Sequence, residues 1–110
     1  MLAEFLTKLD FSSVNSANSV GDTPLIYAVI WDEIEILKEL INLGANLDHL
    51  GEFGSTALEH AVCDDKLEAS RVLLSAGADP DLENELGFTA RSLAEVSESD
   101  EVRNLLREAP

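Results

Sequence analysis

The stretch Gly21-Asp22-Thr23-Pro24-Leu25 returns as Gly54-Ser55-Thr56-Ala57-Leu58 and, degraded, as Gly87-Phe88-Thr89-Ala90-Arg91, each copy 33 residues after the last. A second string keeps the same step: Gly44-Ala45-Asn46-Leu47-Asp48 recurs 33 residues later as Gly77-Ala78-Asp79-Pro80-Asp81. Two independent strings in one register mark an array of stacked units. Such arrays bind other macromolecules through an extended surface, which directs attention away from an enclosed active site.

Each unit reads as turn, short helix, turn, longer helix. Thr23-Pro24 predicts a helix start, the hydroxyl acting as N-cap acceptor and proline standing where its missing N–H is harmless. Thr56-Ala57 and Thr89-Ala90 repeat the cap without the proline. Leu25, Ala28 and Val29, matched by Leu58, Ala61 and Val62, form a narrow apolar stripe at helical spacing. The alanines at 28, 61 and 94 allow close helix packing. Ile34, Ile36, Leu37, Leu40 and Ile41 give the second helix its heavier face, matched by Leu67, Ala69, Val72, Leu73 and Leu74. Glycine at 44 and 77 ends it, where the backbone turns left-handed. The second helices are expected over Ile34 to Leu43, Leu67 to Ala76 and Glu101 to Glu108.

This pattern resembles the ankyrin repeat: a glycine, then Thr-Pro-Leu-His with alanines, then a leucine-rich helix closing in Gly-Ala-Asp. The resemblance runs from about Asn15 to the end of the chain. It implies an all-α, ankyrin-type helix-turn-helix solenoid with short β-turn tips. Two departures stand out. Ile26, Glu59 and Ser92 replace the family's histidine, and Asp32, Asp65 and Glu98 replace the glycine between the helices, each expected to cost some local stability.

The ends read as caps. Residues 2 to 9 form a short amphipathic helix, and Val14-Asn15 precedes Leu47-Asp48 by one period, so the start is half a repeat. In the third unit Arg91, Asp100 and Arg107 replace apolar residues and are expected to face water, as a terminal repeat requires. The expected organisation is one domain over 1–110, with a cap at 1–17 and repeats at about 18–50, 51–83 and 84–110, complete as an array.

Twenty-two acidic residues against seven basic give a formal net charge of −15. Solubility of a small domain needs a magnitude of only about 2–8. The excess repels nucleic acid and anionic membranes and draws basic partners from a distance; the alternative is that it merely keeps the chain soluble. A single cysteine, Cys63, excludes a disulfide framework and fits a reducing compartment. The first ten residues lack the layout of a secretory signal, and no apolar run reaches a membrane span. The expected location is the cytoplasm.

No catalytic constellation emerges. His60 and Cys63, with His49 in the preceding turn, fall short of the four donors of structural zinc, and Cys63 lacks an orienting base. Asp79, Asp81, Glu83 and Glu85 alternate as in a calcium loop, but the sixth and twelfth positions are Asn84 and Ala90 rather than glycine and glutamate. These acids read as a solvated turn. Phosphate-loop, nucleophile-elbow and zinc-protease motifs are missing. The expectation is a non-enzyme with no cofactor and no metal.

The resemblance implies that recognition lies on the turn tips flanking the Gly-x-Thr motif and on the ends of the first helices. Carried onto this sequence, the candidate partner-binding residues are Val20, Asp22, Glu52, Phe53, Ser55, Glu85 and Phe88 on the tips. Ile30, Trp31, Asp32, Asp64 and Asp65 are the candidates on the helix ends. Trp31, Phe53 and Phe88, with Ile30 and Val20, would form an aromatic strip ringed by carboxylates, with Trp31 where a polar residue is usual. The alternative is that Val20, Phe53 and Leu86 pack on each other along the tip row. The expected function is a protein-binding module, monomeric alone, whose concave face engages a basic protein. An inhibitor or immunity protein neutralising a nuclease-like toxin fits that description, with an adaptor binding a regulatory protein or peptide as the alternative.

Overall fold

The Thr-Pro and Gly-Ala signals begin and end helices where the sequence places them. The computed structural model describes residues 1–110 and contains seven α-helices and no strand: α1 (Leu2–Lys8), α2 (Pro24–Ile30), α3 (Ile34–Asn42), α4 (Ala57–Cys63), α5 (Leu67–Ser75), α6 (Ala90–Ala94) and α7 (Asp100–Glu108). Helices α2 and α3, α4 and α5, and α6 and α7 pair as hairpins. Successive pairs stack so that α2, α4 and α6 form one layer and α3, α5 and α7 the other. The fold is an all-α repeat stack, as expected.

The core lies between the layers and between the units. Leu40, Leu73 and Leu106 occupy one register position and are fully buried, as are Ala28 and Ala61 in the facing layer. Leu25 and Leu58 fill the equivalent position of units one and two. No unit could bury these side chains alone, so the interfaces hold the fold.

Helix ends show a shared device with substituted chemistry. After α3 the Ala45 N–H donates to the Leu40 carbonyl at 3.0 Å, and after α5 Ala78 donates to Leu73 at 3.0 Å, the closure of a Schellman motif. The first helices close the same way, Glu33 donating to Ala28 and Lys66 to Ala61, both at 2.8 Å. There the left-handed residue is Asp32 (φ 57°) or Asp65 (φ 54°). Aspartate is among the few side chains that tolerate this region, which explains how these units dispense with the family's glycine. At the N-termini, Thr56 and Thr89 cap through their hydroxyls. Thr23 does not: its backbone is that of an N-cap, but its buried hydroxyl has no partner, and the preset φ of Pro24 carries the turn instead.

Two basic side chains act inside the fold. Lys66, at the start of α5, donates its ammonium to the carbonyls of Val29 (2.6 Å) and Ile30 (2.8 Å), capping α2 from the neighbouring unit. Arg91, expected to face water, instead folds back: it grips both Asp81 carboxylate oxygens (2.9 and 3.2 Å) and the carbonyls of Leu106, Ala109 and Pro110. The free carbonyls at the end of α7 need donors, and a guanidinium supplies several at once. Arg107 does reach solvent, paired with Glu95 at 2.7 Å.

Leu40→Ala or Leu73→Ala should cost about 2–5 kcal/mol in chemical denaturation. Lys66→Met, which leaves two helix-end carbonyls without their charged donor, should cost about 1–3 kcal/mol. Unchanged midpoints would refute this placement of the core and of the clamp.

Candidate functional site

The turn tips precede the first helices and stack side by side, each built by its own chemistry. In the first, Asn18 Oδ1 accepts from the N–H groups of Val20 (3.1 Å) and Asp22 (3.0 Å). In the third, Asn84 Oδ1 accepts from Leu86 (2.9 Å) and Phe88 (3.0 Å). The middle tip has Gly51 at that position. A Cβ there would lie 2.3 Å from Asp22 Oδ1 and 2.8 Å from Ile26 Cδ1, so a side chain would have to displace both. Asp22 Oδ1 bonds the Glu52 N–H instead, at 2.9 Å, and His49 Nε2 donates to the Gly21 carbonyl at 2.8 Å. Asp22 is thus only 6% exposed and its carboxylate is spent within the fold. It leaves the candidate surface.

The second junction uses different groups. Glu85 N–H donates to the Phe53 carbonyl at 3.0 Å, and Asn84 Nδ2 donates to Glu59 Oε2 at 3.1 Å. Ile26, Glu59 and Ser92 therefore solve one position in three ways: Ile26 packs beneath Gly51, Glu59 holds the next tip, and Ser92 closes a capping box with Thr89. Glu59 is 2% exposed, its second oxygen has no partner, and burial pushes its carboxyl above the usual value.

The tips present apolar side chains outward. Phe53 is 67% and Leu86 79% exposed, and Val20 and Phe88 are exposed as well. Such exposure overturns the alternative in which Val20, Phe53 and Leu86 bury one another. Phe53 also has left-handed backbone (φ 60°, ψ 21°), which bulky residues rarely adopt. Glu52 and Ser55 flank it, half-buried, and Glu85 is exposed on the next tip.

Trp31 lies elsewhere. It follows the last residue of α2, a helix length of about 10 Å from the tip that precedes Thr23. Its ring meets Phe5 of α1 edge-on at 6.1 Å and Tyr27 at 5.8 Å, with Lys8 Nζ 5.7 Å from its centroid. Tyr27 in turn meets Phe11. The expected aromatic strip is thus divided into an apolar tip row and a Trp31 cluster built on the cap. Trp31 remains 44% exposed, with Ile30 half-buried and Asp32 exposed beside it. Asp64 and Asp65 are exposed at the corresponding end of α4, where Asp65 also accepts from the Ser97 hydroxyl.

The acidic surface is largely uncompensated. Only five carboxylates, those of Glu35, Glu68, Asp81, Glu95 and Asp100, take part in ion pairs. Arg91 and Arg107 hold Asp81 and Glu95 below the usual carboxylate range. Of the alternating acids, Asp79 and Asp81 join a hydrogen-bonded ladder, while Glu83 and Glu85 stay exposed. Asn15 Oδ1 accepts from Asn46, Asn46 from Asp48, Asp48 from Asp79 and Asp79 from Asp81, at 2.8 to 3.1 Å. No three His, Cys, Asp or Glu side chains converge to hold a metal. Partial burial, then the carboxylates of Asp64, Glu59 and Asp65, push the Cys63 thiol up, away from nucleophilic reactivity.

The family profile described as "Ankyrin repeats (3 copies)" matches residues 2–84. The chain belongs to the ankyrin repeat family. Ankyrin repeats are protein-binding modules, typically without catalysis, and a protein is the class of partner they take. The match ends at residue 84, ahead of Arg91, Asp100 and Arg107 in this ankyrin array. No curated protein matches the chain. No helix of the array is long and apolar enough to cross a membrane.

The raised carboxyl of Glu59 gives a pH signature. Because the folded state holds that proton more tightly than the unfolded chain, ionisation costs stability once pH rises above the ordinary glutamate range, about 4.3. Glu59→Gln should therefore stabilise the fold at neutral pH, and the gain should shrink as pH falls toward that range. Melting curves of both proteins across pH 4 to 8 check it; a pH-independent difference would rule out the buried charge as its cause.

Proposed function

We propose that the chain is a non-catalytic binding module that engages a basic protein through its turn tips and first-helix ends, and that by covering that protein it acts as an inhibitor or immunity protein neutralising a toxin. The observation that carries the binding surface is Phe53, a large aromatic kept outward on a backbone that disfavours it. Strain of this kind persists only where the surrounding structure imposes it, and it clusters at sites of function. Exposed apolar anchors within a charged rim are the usual source of interface energy and selectivity. The uncompensated carboxylates favour a basic partner, and a toxin that acts on phosphates offers such a surface. An adaptor would use the same residues but leave its partner's activity intact.

Capture of the partner from the native source, followed by its activity with and without the chain, separates the two roles. Association should slow strongly between low and physiological salt, where the screening length is about 8 Å, while dissociation changes much less. Salt-insensitive association or an acidic partner would return the charge to solubility.

Phe53→Asn, which suits the left-handed backbone, should leave stability equal or higher while weakening binding by at least about 2 kcal/mol. Trp31→Ala should lower both, because its ring packs on Phe5 and Tyr27. Full affinity in Phe53→Asn would remove the tip row from the interface.

A further inference from the structure

Lys8 differs from the other basic residues of this chain. Lys66, Arg91, Arg103 and Arg107 are held by carbonyls or carboxylates within the fold, and Lys38 and Arg71 pair loosely with Glu35 and Glu68 at 3.7 Å. Lys8, at the exposed last position of α1, has neither kind of partner; its ammonium stands over the Trp31 ring. A cation within about 6 Å of an indole centroid is attracted by the ring's quadrupole. Lys8 and Trp31 both line a cavity of about 190 Å³ with Phe5 and Ile36 as apolar walls and Met1, Glu4 and Glu33 completing its rim. Neither carboxylate is in an ion pair.

An aromatic face, apolar walls for an alkyl stem and two unpaired carboxylates match the chemistry of a lysine or arginine side chain. We infer that this cavity is a cation pocket whose Trp31 face is covered in the free protein by the chain's own Lys8, and that a lysine or arginine side chain of the partner displaces Lys8 on binding. The inference rests on the reading that the partner is basic. It gives Trp31 a role apart from the tip row: the tips supply apolar contact, while the pocket at the cap selects a positive side chain. Lys8 is held by the ring alone, so an incoming cation that also reaches Glu4 or Glu33 replaces it with little loss.

The pocket can be tested without the partner, because Trp31 is the only tryptophan and its fluorescence reports the ring directly. The full chain is titrated with acetyl-Ala-Lys-Ala-amide and with the isosteric norleucine tripeptide at pH 7 and constant ionic strength. Three proteins are compared: the parent, Lys8→Met, and Lys38→Met, which makes the same change of net charge away from the pocket. Lys8→Met should bind the lysine tripeptide roughly two- to five-fold more tightly than the parent, the factor corresponding to an exposed cation–π contact. Lys38→Met should match the parent, and the norleucine tripeptide should give no saturable change. Equal tightening in both variants, equal binding of norleucine, or no saturable response in Lys8→Met would overturn the pocket. Melting curves verify the fold, with Lys8→Gln as the second variant. A failed titration alongside salt-sensitive partner binding overturns the pocket alone, whereas an acidic partner overturns the occupant whatever the tripeptides show.

Discussion

The column of Leu40, Leu73 and Leu106 governs the rest of the structure. Each leucine is fully buried by helices of its own and adjoining units, so burial at one level depends on the units on either side. A two-helix unit has too little apolar surface to offset the entropy of ordering its chain. Everything else serves to seat the units squarely on each other. The alanines let the first helices approach, left-handed aspartates turn the chain within the first two pairs, and Lys66 ties the turn of the second hairpin to the end of α2 in the first.

Polar groups set the register that the leucines cannot. Hydrophobic contact is non-directional and would tolerate some sliding between units. The ladder from Asn15 to Asp81 does not, because each oxygen meets one particular N–H. The same holds at the tips, where Asp22 and Glu59 each reach a single group on the next turn. Four carboxylates that look like surface charge in the sequence, those of Asp22, Asp48, Glu59 and Asp79, are therefore structural. The remaining carboxylates are those free to act at a distance.

Features that repeat were legible in the sequence. The Gly-x-Thr and Gly-Ala strings located every helix pair, and the second helices begin and end within a residue of the positions expected from them. Departures from the repeat were harder to read, since their meaning depends on the neighbouring unit. Gly51 looks like an ordinary loop residue until Asp22 and Ile26 are seen filling its side-chain space. Arg91 looks like a solvent-facing cap, but the carbonyls that claim it lie 15 or more residues away. Trp31 and Phe53 are both aromatic and near motif positions. Only the partners of Trp31 in α1, far from it in sequence, separate it from the tip row. The left-handed backbone of Phe53 had no sequence signal, because the residue type argues against it.

The unlike junctions at the tips also limit how such an array can grow. A tandem copy of the middle unit would set a second Gly51 above Glu59, offering no side-chain amide to the buried carboxylate. Exchanging the first and second units would bring Ile26 beneath Asn84, into space that only glycine leaves open at Gly51. The units share a fold but are not interchangeable parts. Lengthening by simple duplication would require compensating changes on both sides of every new seam, so the order of the units is itself inherited information.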